Sequence, residues 1–499
     1  MRQKAMFTGC LRRHSTTAGW LNFDRSNLLA LVLTALFLAG CQTIEATGQR
    51  RLTLISESQE ITMGTQANEQ ILESMSLYPD EDLQTYVNEL GLRIAATTER
   101  PELPWSFRIL DDDVVNAFAL PGGYIYVTRG IMAHFENEAQ LAGVLGHEIG
   151  HVTGRHSVIR MSKSVLAQLG LGAAQILVPE VGGLTQAAGA GLQLLFLKFS
   201  RDDEIESDLL GVRYMQNIRE DPRELIDVME MLARVSETEQ RGALPQWAMT
   251  HPLPENRREI IAEQLRSTDP VQYQPVNREG YLRRLEGMTY GKDPREGIIR
   301  ENVFYHPDMR FQYDFPNTWQ IVNQKKAVLG ISQAKDAVIQ ISLSDRESAV
   351  AALQTMFRQE GIAGKGAERT RINGLPAATG TFLARTPQGV IEGRATYIEY
   401  GERLFQIIGY SGQQTWQKYD RIVAPSMFSF QELTDPKFLE VDPLRINIVT
   451  VERRTTLRQF HGRRNVPIPV DEFARLNQAE IDETLEPGRL LKLVVGTAP

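Results

Sequence analysis

Apolar residues in the first part of the chain recur at steps of three and four, the spacing of an amphipathic helix. Two short apolar runs, at 105–110 and 124–128, instead have the length and composition of β-strands, and a Pro-Gly-Gly sequence at 121–123 predicts a turn. These patterns predict a mainly helical unit with a small sheet over 53–270. The helical stretches lie at 56–98, 136–164 and 201–235.

The segment 164–199 is unusually apolar and rich in Gly and Ala. Pro179, Glu180 and a Gly-Gly pair at 182–183 divide it into two pieces, each too short to span a membrane. Two interpretations stay open. The pieces are either two helices joined by a mobile bend against a functional site, or two buried core helices.

The pattern changes around residue 270. Short alternating strands, such as those at 337–342 and 404–408, are separated by turns rich in Gly, Pro and Asn, which predicts a separate α+β domain over 300–432. A linker at 436–443 leads to a small last unit over 443–496. The predicted fold class is therefore α+β and multidomain.

The N-terminus has the pattern of an export signal, with a basic front and an apolar run at 28–38 that is too short to cross a bilayer. The sequence Leu-Ala-Gly-Cys at 38–41 resembles a bacterial lipobox, which implies a signal peptide at 1–40 and lipid on Cys41. Gln42 favours outer-membrane sorting by resemblance to enterobacterial lipoproteins, and 41–52 is expected to be a polar tether. The alternative is an ordinary signal with a chance cysteine.

Composition narrows the functional classes. A length of 499 residues suggests roughly three domains, and 42% hydrophobic with 23% charged residues is ordinary for a globular protein. With 54 basic against 62 acidic residues the net charge is -8, so we expect no nucleic-acid partner. Cys10 and Cys41 are the two cysteines, too few for a disulfide framework or a cysteine zinc cluster.

The strongest chemical signal is His-Glu-Ile-Gly-His at 147–151, inside a predicted helix. Four residues make about one helical turn, so His147 and His151 share a face and can bind one Zn²⁺. Glu148 lies beside the metal and can accept a proton from a water molecule there. The alternative is a coincidental pattern on an amphipathic helix.

A second signal is the acidic run at 200–208. Glu204 and Asp208 are four residues apart, so one could bind zinc while the other orients a ligand histidine. The residues alone do not decide between Glu204 and Glu206 as the ligand, and a solvated helix face is the alternative for the whole run. His156 is one residue short of the third histidine of the metzincin pattern and is interpreted as structural or surface.

Together, Asn116 to Gly123, His147 to His151 and Ser200-Arg201 with Glu204 and Asp208 resemble the M48 zinc metallopeptidases, most of all the exported bacterial branch that includes periplasmic assembly proteases. The resemblance implies a gluzincin-like fold and one Zn²⁺ per chain. It implies that Glu204 is the third ligand and that Asp208 orients a ligand. It also implies an edge strand that pairs with an extended substrate, formed by Asn116, Ala117, Phe118 and Ala119. Ser207 stands where the family usually has Ala.

The segment 250–257 also resembles a family segment, and His251 belongs to it. Three roles stay open for His251. It is a fourth metal ligand that blocks water, a group that stabilises the oxyanion, or part of a capped turn.

The last unit, 443–496, resembles a degenerate LysM module, a class that binds N-acetylglucosamine polymers such as peptidoglycan. Arg454-Thr455 replaces the usual Gly-Asp, and a purely structural unit is the alternative. Taken together, the residues and the resemblance predict a zinc metalloendopeptidase of the cell envelope that cleaves misfolded or misassembled periplasmic and outer-membrane proteins. A chaperone-like protein or a peptidoglycan-associated binding protein with a latent site is the alternative.

Overall fold

The N-terminal region is a group of helices packed against a small sheet. The structure, a computed structural model, describes residues 41–170, 198–239, 247, 251, 256–267, 272–346, 348–386 and 389–497. The predicted signal peptide at 1–40 lies outside these residues. The helices of this region are α1 (Glu57–Ser74), α2 (Glu81–Ala95), α3 (Arg129–His134), α4 (Glu138–Thr153), α5 (His156–Gly170), α6 (Arg201–Asn217), α7 (Glu224–Glu239), α8 (Arg257–Ser267) and α9 (Arg278–Arg284).

Short polar side chains fix where the helices of the site begin. Asn137 caps α4 by accepting a hydrogen bond from the backbone N–H of Gln140. Ser200 caps α6 in a capping box: its hydroxyl accepts from the Asp203 backbone N–H, and the Asp203 carboxylate accepts from the Ser200 backbone N–H. These caps satisfy backbone donors that a helix start otherwise leaves unpaired.

Each predicted helical stretch contains two helices rather than one. The stretch 56–98 is interrupted after α1, where the Tyr78 backbone bonds to Ile109 and Asp80 then caps α2. The stretch 136–164 is interrupted by Arg155, whose φ of 54° is left-handed. The stretch 201–235 is interrupted after α6, where Arg219 has a left-handed φ of 64°. Periodicity located the helices but not these breaks.

The sheet of this region has three strands, β3 (Ser106–Leu110), β4 (Ala117–Leu120) and β5 (Tyr124–Thr128), in the order β3-β5-β4. β3 runs parallel to β5, and β4 runs antiparallel to it. The turn between β4 and β5 uses Gly122 and Gly123, with φ of 80° and 102°. The two strands that the apolar runs predict are confirmed, and β4 overlaps the edge strand that the family resemblance implies at 116–119.

Helices α4 and α6 approach closely because glycines line their contact. A Cβ on Gly150 would lie 2.9 Å from the carbonyl oxygen of Ser207, and one on Gly146 would lie 3.3 Å from Gly211. Side chains at these positions would push the helices apart. The close contact brings the face of α6 that carries Glu204 and Asp208 against the histidines of α4.

The predicted tether at 41–52 is a folded hairpin, which corrects that expectation. β1 (Cys41–Thr43) pairs antiparallel with β2 (Arg50–Leu52). Ile44 and Ala46, between the strands, are buried in the main core of the N-terminal region. Two apolar side chains so close to the N-terminus anchor the segment, although its other residues are polar.

The apolar segment 164–199 is described only at its ends. Residues 164–170 continue α5, and Phe199 precedes α6. Both interpretations of the segment stay predictions, because 171–197 lie outside the described residues. In the part of the chain that the structure describes, no helix has the length and apolar character to cross a membrane.

The region 300–432 is rich in strands, and its α+β character agrees with the prediction. The strands are β6 (Ile298–Arg300), β7 (Val303–His306), β8 (Phe311–Asp314), β9 (Gln320–Gln324), β10 (Ala327–Ile331), β11 (Ala337–Ser344), β12 (Ile362–Ile372), β13 (Leu375–Thr386), β14 (Gly389–Tyr400), β15 (Arg403–Gly412) and β16 (Gln431–Glu432). A seven-stranded sheet has the order β12-β13-β14-β15-β11-β10-β9, and a four-stranded sheet has the order β16-β8-β7-β6. Helices α10 (Ala349–Phe357) and α11 (Gln413–Met427) pack on the larger sheet. A short helix, α12 (Pro436–Leu439), follows.

The last unit shares one apolar core with the N-terminal region rather than standing apart from it. Lys492 is fully buried and donates to the carbonyls of Ala133 and Phe135, just before α4. Gln478 donates to the carbonyl of His134. The elements of the unit are β17 (Arg445–Thr450), β18 (Thr455–Thr456), α13 (Leu457–Arg464), α14 (Val470–Leu476), β19 (Thr484–Leu485) and β20 (Leu490–Val495), with β17 paired to β20.

Candidate active site

The two histidines of the His-Glu-Ile-Gly-His sequence meet on one face of α4. His147 and His151 are both buried, and their Nε2 atoms lie 3.1 Å apart. One helical turn separates them, as the sequence spacing predicts. Two imidazole nitrogens this close suit a shared cation, because each can offer it a lone pair.

Helix α6 contributes Glu204 to the same point. Its Oε1 lies 3.4 Å from His151 Nε2, and its Oε2 lies 3.6 Å from His147 Nε2. Burial would raise the pKa of Glu204, but the neighbouring His251 and His151 hold it well below its ordinary value. An ionised carboxylate between two histidines completes three ligands of the type that zinc takes.

His251 closes the cluster from a fourth side. Its Nδ1 lies 3.0 Å from Glu204 Oε1 and 3.5 Å from His147 Nε2. Ligand atoms of His147, His151, Glu204 and His251 all lie within 4.8 Å of one another. Of the three roles left open by the sequence, this geometry favours the fourth ligand, because Nδ1 points to the centre of the cluster.

The donor set fits a zinc ion. Glu204 Oε2 is buried and makes no hydrogen bond to any described residue, although Arg257 Nη1 lies 3.1 Å away. Buried polar atoms are normally paired, and a cation between the three side chains would satisfy this oxygen. Three nitrogen ligands and one carboxylate oxygen, without cysteine, agree with zinc chemistry.

Asp208 and Arg257 hold His147 from behind. Asp208 Oδ1 lies 2.8 Å from His147 Nδ1, and Arg257 Nε and Nη2 both donate to the Asp208 carboxylate at 2.6 Å. Burial opposes ionisation of Asp208, but the Arg257 charge and hydrogen bonds hold its pKa below the ordinary value. An ionised Asp208 accepts the Nδ1 proton of His147 and leaves Nε2 free for the metal.

Glu148 lies beside the cluster. Both of its carboxylate oxygens are buried and have no hydrogen-bond partner among the described residues. Burial raises its pKa above the ordinary value, while the His251 and His147 side chains oppose the rise. His251 Nε2 lies 3.6 Å from Glu148 Oε1. A carboxylate so placed can accept a proton near the metal.

Glu204 and Glu206 have different neighbours in the structure. The sequence alone does not decide which of the two is the metal ligand. Glu206 points away from the cluster, and its Oε1 lies 3.0 Å from His156 Nε2. His156 is buried, with Nδ1 2.9 Å from His151 Nδ1, so a surface position for it is wrong and a structural one is right. The break at Arg155 turns His156 back toward His151, whereas a continuous helix would have pointed it elsewhere.

Three neighbours of the cluster were not assigned a role from the sequence. Arg257 pairs with Asp208, the Phe199 ring stacks on His151 with centroids 3.9 Å apart, and the Trp247 ring stacks on His251 at 4.2 Å. Arg257 lies in the segment 250–257, which resembles a family segment and also contains His251, so the sequence could have indicated a role for Arg257. Nothing in local periodicity points to Phe199 or Trp247.

The predicted substrate strand lies at the edge of the sheet. β4 pairs with β5 on one side, and no described strand pairs with its other side. Asn116 directly precedes β4, Ala117 and Phe118 are buried, and Ala119 is partly exposed. An edge of this kind can accept an extended peptide as an added strand. Cys41, the predicted lipidation site, is the first residue of β1.

The part of the chain that contains the cluster is similar to known peptidases. Residues 81–264 match the family model "Peptidase family M48". The β-barrel assembly-enhancing protease of Escherichia coli (strain K12) is 29% identical over 249 residues, which cover 47% of this chain and 51% of the relative. The mitochondrial metalloendopeptidase OMA1 of Arabidopsis thaliana is 33% identical over 170 residues, 34% of this chain and 33% of the relative.

The coverage of these comparisons is partial. The chain spans about half the length of the assembly-enhancing proteases that it matches. The solution structure of cyanobacterial PsbP (CyanoP) from Synechocystis sp. PCC 6803 covers 27% of this chain and 95% of its own, at 14% identity and a TM-score of 0.23, too low to support an inference. The family match, in contrast, spans the whole cluster from His147 to His251. The sequence resemblance is thereby confirmed for residues 81–264, which match the M48 peptidases.

Proposed function

We propose that this chain is a zinc-dependent metalloendopeptidase of the bacterial cell envelope. Its substrates are misfolded or misassembled periplasmic and outer-membrane proteins. The observation that carries the proposal is the buried cluster of His147, His151, Glu204 and His251. Beside it lies the Glu148 carboxylate, which accepts no hydrogen bond from the described residues. A protein that only binds peptides has no need of such a base.

The chemistry divides between the metal and the chain. A zinc ion held by His147, His151 and Glu204 would polarise the scissile carbonyl and acidify a nearby water molecule. Glu148 accepts the proton of the attacking water and returns it to the leaving amine. Burial raises the pKa of Glu148, and this favours the protonated form that donates to the leaving amine.

Substrate selection follows from β4. A peptide added at this edge is held mainly by backbone hydrogen bonds, which are the same for every sequence. Folded proteins keep their backbone groups paired internally, so unfolded or misassembled chains are the better substrates. The names of the relatives, one an assembly-enhancing protease, support an envelope role without identifying the substrate.

The location that we propose rests on the sequence at 38–41. Lipid on Cys41, the first residue of the hairpin β1–β2, would hold the protein on the periplasmic side of the outer membrane. Labelling with a radioactive fatty acid in a bacterial host tests this. The wild type should incorporate label, and Cys41→Ala should not; equal labelling of both would contradict it.

Zinc content and casein cleavage test the peptidase proposal. The soluble chain from residue 42 is compared with Glu148→Gln and with Glu138→Gln, the same change at the start of α4. We expect one zinc per chain in all three, with cleavage lost only in Glu148→Gln. If the wild type binds no zinc, the ligand assignment is wrong, and if all three bind zinc but none cleaves, the site is latent.

A second candidate function is binding of peptidoglycan by the last unit. The segment that resembles LysM contains a strand, two helices and a second strand, β17, α13, α14 and β20, with the short strands β18 and β19 beside the helices. This arrangement supports the proposal. Because the unit shares its core with the N-terminal region, the soluble chain as a whole is the correct reagent. Retention on purified peptidoglycan, and release by N-acetylglucosamine oligomers, would support it; no retention would exclude it.

A further inference from the structure

A line of side chains connects His151 to the N-terminal hairpin. His151 Nδ1 lies 2.9 Å from His156 Nδ1, and His156 Nε2 lies 3.0 Å from Glu206 Oε1. Glu206 Oε2 accepts a hydrogen bond from Arg51 Nη2 at 2.5 Å. Helices α4, α5 and α6 and strand β2 therefore each contribute one residue to this line.

The proton positions along the line follow from the ligand role of His151. To bind a metal through Nε2, His151 must carry its proton on Nδ1 and donate it to His156 Nδ1. His156 Nδ1 must then be an acceptor, which places the remaining proton of a neutral His156 on Nε2. The Glu206 carboxylate accepts that proton, and Arg51 holds the carboxylate in place.

The two ligand histidines are supported differently. His147 donates directly to a carboxylate, Asp208, which Arg257 holds with two hydrogen bonds. His151 donates to a neutral ring whose orientation depends on Glu206. Ser207 Oγ, 3.3 Å from His156 Nδ1, gives that ring a further neighbour. The position of His151 is therefore set by residues farther from the metal than those that set His147.

Several contacts of the hairpin hold Arg51 in one place. The Arg51 guanidinium also donates to Asp203 at 3.3 Å, next to the start of α6. Ile44 and Ala46 are buried in the core, and Arg213 donates to the Ala46 carbonyl at 3.0 Å. At the other end of the hairpin, Arg155 donates to the side chain of Gln42 at 2.7 Å. These contacts keep the hairpin packed against the rest of the N-terminal region.

We propose that His156, Glu206 and Arg51 are positioning residues for the zinc ligand His151, so that the N-terminal hairpin is a working part of the zinc site. This inference rests on the proposed zinc site, and it adds that the site depends on residues before the family match begins at residue 81. Removing Arg51 frees the Glu206 carboxylate. The His156 and His151 rings then sample other orientations, and the zinc ion is held less tightly.

The experiment measures zinc affinity by competition with a chromogenic chelator. The soluble chain from residue 42 is compared with Glu206→Gln, Arg51→Ala and Arg51→Lys. Arg50→Ala is the matched control, because it removes the same charge from an exposed position on the same strand. Loss of an outer partner of a ligand histidine typically lowers metal affinity about 10- to 100-fold, which we expect for Glu206→Gln. The zinc affinity of Arg51→Ala should fall by a smaller factor, about 3- to 10-fold, because Arg51 acts on His151 only through Glu206 and His156. Arg51→Lys should recover part of the lost affinity.

Three further readouts separate positioning from general damage. Unfolding of the zinc-free forms in urea should be similar for Arg51→Ala and Arg50→Ala, while the visible spectrum of the Co²⁺-substituted protein should change only for Arg51→Ala. In casein cleavage at saturating zinc, kcat should fall and KM should stay within about twofold, because substrate binding is not altered.

The outcomes distinguish this inference from the proposed function. If the wild type binds no zinc, the proposed function fails. If the wild type binds zinc tightly and Glu206→Gln and Arg51→Ala bind it equally well with unchanged Co²⁺ spectra, the positioning role is wrong and the peptidase proposal stands. If Arg50→Ala weakens zinc binding as much as Arg51→Ala, the effect is one of charge and the inference also fails.

Discussion

His251 Nδ1 lies 3.0 Å from Glu204 Oε1, although the two residues are 47 positions apart in the chain. This contact places His251 in the fourth position of the candidate zinc site, where it also faces Glu148. A resting site closed in this way must release His251 before a substrate carbonyl can enter. The stacked Trp247 ring would move with it.

The first prediction therefore concerns His251→Ala. We expect zinc to remain bound by His147, His151 and Glu204, and casein cleavage to increase, because the fourth position is open. Zinc analysis and initial rates check this. A fall in kcat of about 100-fold or more with zinc retained would instead assign His251 to the oxyanion.

The second prediction concerns the close contact of α4 and α6. Gly150→Ala should lower the free energy of unfolding by about 1–3 kcal/mol and weaken zinc binding, because the new methyl group meets the Ser207 backbone. Gly143→Ala is the control on the same helix. Its methyl group meets the Leu225 side chain at 3.2 Å, which can adjust. Urea unfolding of both zinc-free variants checks the difference, and equal losses would contradict it.

The third prediction concerns the pH dependence of the Asp208 contacts. The pKa of Asp208 is lowered from its ordinary value of 3.8, so its contribution to stability is complete above about pH 4 and is lost as the pH falls through the lower folded-state value. The stability difference between zinc-free wild type and Asp208→Asn should therefore be constant near neutrality and shrink in acid. Urea unfolding at a series of pH values measures it. A difference that grows in acid would contradict the assignment.

The fourth prediction concerns substrate binding at β4. If the peptide is held by backbone hydrogen bonds, methylation of one bonded amide should lower kcat/KM about tenfold, the effect of one lost hydrogen bond. Conservative side-chain changes at the same position should change it less. Kinetics on a matched peptide series, including methylation of an amide far from the cleaved bond as control, checks this. Equal tolerance of methylation at every position would argue against strand addition.

The fifth prediction concerns the contact between the last unit and the N-terminal region. Lys492→Met should destabilise the protein by about 2 kcal/mol or more, because Lys492 donates to two buried carbonyls and pairs with Glu136 at 2.9 Å. The control is Lys437→Met, in an exposed position. Since the two regions share one core, the loss should appear as a shift of one common transition in thermal unfolding. Separate transitions for the two regions would contradict a shared core.

The sequence by itself determined the features that are local. The step of four residues in His-Glu-Ile-Gly-His puts His147 and His151 on one helix face whatever surrounds the helix. The same spacing puts Glu204 and Asp208 on one face of α6. The composition of the short apolar runs and the turn residues between them also predict β3 and β5, and the three ordered motifs resemble those of the M48 peptidases.

The tertiary structure decided how those faces meet. Glu204 rather than Glu206 lies at the histidines because Gly146, Gly150 and Gly211 fix the contact of α4 with α6. The left-handed Arg155 breaks a helix that periodicity predicts to continue, and so brings His156 behind His151. Arg51, Arg257 and Lys492 act on elements far from their own in sequence. Such long-range contacts depend on packing, which the period of a single helix or strand does not contain.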